Sequence, residues 1–132
     1  FGANMFLTAP SLSIAAGLVA MDCHDELQGH VETYRANRAL LLEALPALGL
    51  TAIAPPDGAF YIYADIGHLT NDSMAFCERL LRDTGVVAAP GIDHDPVDGR
   101  RFIRFSFAVS TDLVREAIAR LIPWFAAQGA RR

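Results

Sequence analysis

The segment from Arg101 to Ala108 limits the possible folds of this chain more than any other part of the sequence. Successive side chains of a strand point to opposite sides, so Ile103, Phe105 and Phe107 would share one face. This face is entirely apolar and must pack against a hydrophobic core. The sequence therefore predicts a strand that forms one wall of such a core.

The other face of this predicted strand carries Phe102, Arg104 and Ser106. A guanidinium stays protonated and presents a planar set of donors that suits a carboxylate. A single arginine on a strand is nevertheless more often a surface or ion-pair residue than a ligand-binding one. The strand alone therefore leaves two roles open for Arg104, a structural cation or a substrate-binding group.

Composition bounds the class of protein. The chain has 132 residues, of which 52% are hydrophobic and 20% charged, which indicates one domain with a packed core. A net charge of -4 without a basic cluster argues against binding to nucleic acid. Cys23 and Cys77 lack a CxxC spacing, and we expect two free thiols in the cytoplasm. The spacing of the histidines predicts no metal site.

The first part of the chain predicts no targeting segment. No Lys or Arg precedes Arg35, so a signal peptide is not expected. The apolar stretch from Met5 to Met21 is interrupted and too short to span a bilayer. Because the chain begins at Phe1, we expect it to be a piece of a longer, cytoplasmic protein.

Two helices are predicted before the first strand. Ser11 or Ser13 can cap a helix whose residues 14–21 carry no polar side chain, so we expect a neighbouring domain or subunit to cover it. Asp22 can cap a second helix over residues 23–45, with a length of about 34 Å.

The pattern then alternates between strands and helices. Short strands are predicted at residues 51–53, 59–66 and 86–89, with Phe60 on the same face as Ile62. One helix is expected from Asn71 or Asp72 to Gly85, and another from Ser110 or Thr111 to about Pro123. Helices and strands in this order suggest an α+β layer sandwich.

Three ordered motifs resemble one known family. They are Pro-Asp-Gly-Ala-Phe-Tyr-Ile-Tyr-Ala-Asp at 56–65, Gly-Val-Val-Ala-Ala-Pro-Gly at 85–91 and Phe-Ile-Arg-Phe-Ser at 102–106. Together they resemble the class I/II aminotransferases, which are pyridoxal-phosphate enzymes of the aspartate-aminotransferase fold. The resemblance implies the C-terminal small domain of a fold type I enzyme, an α+β domain with a small antiparallel or mixed sheet packed with helices.

The resemblance also implies a division of the chain and roles for three residues. Residues 1–22 would be the tail of the large cofactor-binding domain, 23–48 the connecting helix and 49–132 the small domain. Arg104 occupies the position of the arginine that binds the substrate α-carboxylate, and Phe60 that of an aromatic residue bordering the substrate pocket. Thr8 lies in a segment that, in some members, approaches the cofactor phosphate of the other subunit.

The chain departs from the family pattern at a few positions. Ile14 stands where many members have a glutamine, and His94 and Asp95 replace a common Phe-Gly. More importantly, all 11 Lys and Arg residues are arginines, so the Schiff-base lysine of the family is absent. In this chemistry that lysine binds the cofactor covalently and moves the α-proton of the substrate. The resemblance therefore implies that this chain binds substrate, contains no catalytic residue, and is inactive by itself.

The resemblance implies an enzyme that moves an amino group between an amino acid and a 2-oxo acid, as part of a biosynthetic process. Its partners would be the missing N-terminal large domain and a second subunit in a homodimer, with no nucleic acid and no membrane. A related fold type I enzyme, such as a C–S lyase or an α-oxoamine synthase, is one alternative. A non-enzymatic α+β interaction module is another.

Overall fold

The computed structural model of the chain describes residues 10–129. In chain order its elements are α1 (Ser11–Ala20), α2 (His24–Ala44), β1 (Tyr61–Asp65), α3 (Ser73–Thr84), β2 (Ala89–Pro90), β3 (Phe102–Ser106) and α4 (Thr111–Gly129). Short 3-10 turns occupy Leu45–Leu48, Gly91–Asp93 and Gly99–Arg101. The chain divides into two compact units, one ending at Glu32 and one beginning at Thr33.

The second unit is built on a three-stranded antiparallel sheet. Its strand order is β1-β3-β2, so β3 lies in the centre. Tyr63 of β1 and Ala89 of β2 are the two residues that pair with Arg104 of β3. The α+β class and the small antiparallel sheet predicted from the sequence are confirmed.

The core lies on the predicted face of β3. Ile103, Phe105 and Phe107 are all buried, and Ile62 and Ala64 of β1 are buried beside them. The helices and the turn after α2 complete this core with Leu41, Leu45, Leu48, Phe76, Leu80, Val114, Leu121 and Phe125. The alternation of β3 therefore predicted the buried side of the sheet correctly.

The start of β1 differs from the prediction. The strand begins at Tyr61 rather than at residue 59, and Phe60 is 49% exposed whereas Ile62 is 0% exposed. Ala59 has φ 58°, in the left-handed region, and this turn takes Phe60 out of the strand alternation. The expected strand at 51–53 is reduced to a single bridge between Ile53 and Ala64.

The helix ends predicted from the sequence agree with the structure only in part. The Asp72 side chain accepts a hydrogen bond from the Ala75 N–H at 3.1 Å, as a predicted N-cap. The expected caps of α1 are wrong, because Pro10 occupies the N-cap position and no side chain caps the helix. The predicted end at Pro123 is also wrong, because α4 continues to Gly129. Leu121 and Phe125 are buried on either side of the proline, and this packing holds the helix together.

The first unit exposes an apolar helix. Every residue of α1 is exposed, and Leu12 is 86% exposed. The expectation that a neighbouring domain or subunit covers this helix stays a prediction. None of the helices within residues 10–129 is long and apolar enough to cross a membrane. Both cysteines are free; Cys77 is buried and Cys23 is only half-buried.

A buried asparagine ties α2 to the end of β3. Asn37 is 0% exposed, and its Nδ2 donates to the carbonyl oxygens of Phe107 at 3.1 Å and Val109 at 2.7 Å. These two carbonyls lie just beyond β3, which ends at Ser106. One side chain therefore satisfies backbone groups that the end of the strand would otherwise leave unpaired.

Replacing Asn37 with alanine should destabilise the chain by about 1–3 kcal/mol, because buried carbonyl acceptors lose their donor. Urea unfolding of the variant and the wild type measures the difference. Asn71→Ala, at an exposed position, is the matched control and should leave the free energy of unfolding nearly unchanged. Equal stability of Asn37→Ala and the wild type would contradict the role given to Asn37.

Candidate functional site

A concavity of about 480 Å³ opens on the side of the sheet that faces away from the core. Its walls are the loop of residues 54–59, the strands β1 and β3, and the loop that follows β2. We call it the Arg104 concavity. Its lining residues are Ala54, Pro55, Pro56, Gly58, Ala59, Tyr61, Tyr63, His94, Asp95 and Arg104.

Arg104 contributes the guanidinium of this concavity. Its Cζ lies 5.1 Å from the centroid of the Tyr61 ring, which is a cation–π distance. No hydrogen bond or ion pair joins its side chain to another of residues 10–129. The donors of Arg104 are therefore available to an anion that enters the concavity.

A second arginine three positions earlier has a different environment. The Nη2 of Arg101 lies 2.5 Å from Oδ2 of Asp65, and its Nε donates to Oδ1 at 3.3 Å. Partial burial raises the pKa of the Asp65 carboxyl. The hydrogen bonds from Arg101 and the Gly67 N–H, together with the Arg101 charge, outweigh this effect, so the net pKa is lowered. Arg101 is thus a structural cation, whereas no carboxylate within residues 10–129 forms an ion pair with Arg104.

The loop of residues 54–59 is held in place by α2. Nη1 of Arg38 donates to the carbonyl oxygen of Pro56 at 2.8 Å, across 18 positions of the sequence. At the other end of the loop, the left-handed backbone of Ala59 turns the chain into β1. The loop is therefore fixed at both ends where it forms one wall of the Arg104 concavity.

Two glycines close the base of the opposite loop. A Cβ on Gly99 would lie 2.4 Å from the carbonyl oxygen of Gly91, and a Cβ on Gly91 would lie 2.6 Å from the Tyr63 hydroxyl. Only glycine allows this close backbone approach. The contact brings His94 and Asp95, which lie between the glycines, to the rim of the concavity.

Tyr63 forms the floor between the two loops. Its ring stacks on Phe102 with centroids 4.8 Å apart. Burial raises the pKa of the Tyr63 hydroxyl, and the negative charge of Asp95 raises it further. Within residues 10–129 the buried hydroxyl oxygen has no hydrogen-bond partner. The charge of Asp95 therefore acts on the floor of the concavity.

Another hollow, of about 320 Å³, lies between α4 and the segment after α3, and it is mainly apolar. Its charged residues, Glu116 and Arg120, form an ion pair with each other, and Arg120 also donates to the Thr84 carbonyl. These charges are already neutralised, so the Arg104 concavity is the stronger candidate for binding a small anion.

The three site residues predicted from the sequence lie in different places. Arg104 lines the concavity. Phe60 does not line it, but its ring contacts Tyr61 edge-on with centroids 5.8 Å apart. Thr8 lies outside the described residues. Sequence analysis did not assign Tyr61 and Tyr63 to the site, although their alternation opposite Arg104 on a neighbouring strand could have placed them there.

Comparison with known proteins identifies the class. The family model for aminotransferase class I and II matches residues 2–121. The valine–pyruvate aminotransferase of Mycobacterium tuberculosis is 43% identical over 127 residues, covering 95% of this chain and 33% of that protein. The aspartate/prephenate aminotransferase of Thermus thermophilus is 42% identical over 89 residues, covering 67% and 22%.

Solved structures agree with the sequence relatives. A crystal structure of an aminotransferase from Mycobacterium tuberculosis has a TM-score of 0.83 and 42% identity, covering 95% of this chain and 33% of that one. The aspartate aminotransferase of Thermus thermophilus with maleate has a TM-score of 0.56 and 39% identity, covering 70% and 23%.

The α+β fold and its relatives define a domain of the transferase class. The chain belongs to the family of class I and II aminotransferases, as the three motifs indicated. It spans about a third of the length of the curated relatives it matches, 33% and 31% for the first two.

Replacing Arg38 with methionine keeps a long side chain but removes the donor to Pro56. Because one hydrogen bond is lost, we expect the amides of residues 57–59 to exchange with solvent roughly 3- to 10-fold faster. Hydrogen exchange with mass spectrometry measures this change. Arg82→Met, at an exposed position of α3, is the matched control. Unchanged exchange in Arg38→Met would show that the hydrogen bond does not hold the loop.

The Asp65–Arg101 pair predicts a pH dependence of stability. The pKa of Asp65 is lowered from 3.8 in the folded chain. The Asp65–Arg101 pair therefore stabilises the fold fully above pH 3.8, and this stabilisation is lost as the pH falls through the lowered pKa. The free energy of unfolding should therefore fall less steeply on acidification in Asp65→Asn than in the wild type. Urea titrations at several pH values between 2 and 6 test this, and parallel profiles would contradict it.

Proposed function

We propose that this chain is the substrate-binding part of a pyridoxal-phosphate aminotransferase that moves an amino group between an amino acid and a 2-oxo acid. The observation that carries the proposal is Arg104, which has no hydrogen-bond or ion-pair partner among residues 10–129 and lines a concavity of a chain from this family. Both substrates of such a reaction have a carboxylate beside the reacting carbon, so one cation can serve both.

The surroundings of Arg104 suit a carboxylate. A guanidinium can donate two parallel N–H bonds to the two oxygens, which fixes the orientation of the substrate as well as its position. The Tyr61 ring lies against one side of the guanidinium, at 5.1 Å, and restricts its movement. An oriented carboxylate places the neighbouring carbon in a defined position for reaction.

The residues of this chain do not fit the covalent attachment of the cofactor, because the sequence contains no lysine. When bound, pyridoxal phosphate supplies the ring that accepts electrons from the substrate. In our proposal that reaction takes place on residues outside this chain, while Arg104 binds and orients the carboxylate. The chain by itself is then inactive.

The remaining site residues and partners form part of the same proposal. Phe60, half-exposed beside Tyr61, borders the substrate, and Thr8 contacts the cofactor phosphate of the other subunit in a cytoplasmic homodimer. Residues 1–22, 23–48 and 49–132 are the tail of the large domain, the connecting helix and the small domain. L-Valine and pyruvate, which appear in the name of one relative, are the first substrates to assay.

In the full-length enzyme, Arg104→Ala should raise the KM for amino acid and 2-oxo acid about 100-fold, since a charge-assisted pair is lost. The visible absorbance of the bound cofactor should be retained, because Arg104 does not attach it. Steady-state kinetics and absorbance spectra measure the two effects. Arg115→Ala, at an exposed position of α4, is the control and should leave KM within twofold. A KM for Arg104→Ala equal to that of the wild type would sink the proposal.

A further inference from the structure

The Arg104 concavity contains a fixed negative charge as well as a positive one. Asp95 lines it from the loop after β2, while Arg104 lines it from the central strand. A substrate bound to Arg104 therefore lies in the field of both groups.

Asp95 is held in place by its own loop. Its Oδ1 accepts hydrogen bonds from the N–H groups of Val97 at 2.9 Å and Asp98 at 3.1 Å. The Gly91–Gly99 contact closes the base of this loop, so the carboxylate cannot easily move away. No hydrogen bond from residues 10–129 reaches its Oδ2, and no arginine among them pairs with it.

The turn alone does not require a charge. An asparagine or serine oxygen accepts the same backbone N–H groups in turns of this kind. Asp93 and Asp98, in the same loop, do not line the concavity. The carboxylate of Asp95 is thus the acidic group of this loop that can act on a bound molecule, and it already acts on the hydroxyl of Tyr63.

From this arrangement we infer that Asp95 is a specificity residue that selects against substrates with a second carboxylate. The inference rests on the proposed function and names its substrate class: amino acids and 2-oxo acids whose side chain is not negatively charged. Arg104 attracts the carboxylate that all these substrates share. Asp95 repels an additional carboxylate, and a repulsive element of this kind discriminates between ligands that share the attractive one.

Two variants of the full-length enzyme test the inference. Asp95→Asn and Asp95→Ser remove the charge and keep an oxygen acceptor for the turn. Both should raise the ratio of kcat/KM for L-aspartate to kcat/KM for L-alanine about 10-fold, because the repulsion of the second carboxylate is lost. Asp98→Asn, a carboxylate of the same loop outside the concavity, is the control and should leave the ratio unchanged. A ratio equal to that of the wild type in both Asp95 variants would overturn the inference.

A measurement on the wild type avoids any effect of the substitutions on folding. Butyrate and succinate have four carbons each and differ in one carboxylate, so their competitive inhibition constants isolate its effect. Butyrate should bind at least about 10-fold more tightly than succinate, and the opposite order would overturn the inference.

The two proposals fail in different ways. If Arg104→Ala raises KM but the Asp95 variants keep the wild-type ratio, the specificity inference is wrong and the proposed function stands. If the wild-type enzyme transfers an amino group from none of the common amino acids to any 2-oxo acid, both are wrong.

Discussion

The burial of one face of β3 is the constraint on which the rest of this structure depends. β3 is the central strand, and Ile103 and Phe105 enter the core between the helices and the neighbouring strands. Because side chains alternate, a shift of one residue in the pairing would turn Arg104 into the core. A buried guanidinium without a partner is costly, so the hydrophobic face also fixes the arginine on the opposite side. Stability and the geometry of the concavity therefore come from the same register.

Arg101 and Arg104 show how neighbouring residues of one type acquire different roles. Arg101 lies just before the strand, where Asp65 at the end of β1 satisfies its charge. Arg104 lies within the strand opposite Tyr63 and against the Tyr61 ring, and no carboxylate of residues 10–129 forms an ion pair with it. Rings support a guanidinium without occupying its donors. Because Asp65 pairs with Arg101 and not with Arg104, Arg101 stabilises the fold while the donors of Arg104 remain available to a ligand.

Patterns within short stretches of sequence predicted those features of the structure that neighbouring residues determine. The alternation of β3, the cap at Asp72 and the family motifs gave the class of the fold, its buried face and the position of Arg104. The position of Phe60 was missed because a left-handed alanine is not visible in a sequence. The walls of the concavity were missed for another reason. The Arg38–Pro56 hydrogen bond joins residues 18 positions apart, and no periodicity reports such a link.

The contact between Gly91 and Gly99 gives the loop after β2 a closed stem. Because the two glycines close the stem, changes in the length or composition of the loop between them need not move β2 or β3. Residues 92–98 can therefore diverge between relatives while the sheet and Arg104 stay constant. In evolutionary terms, the loop is a separable part that can adapt to new ligands without a change in the strand that carries Arg104.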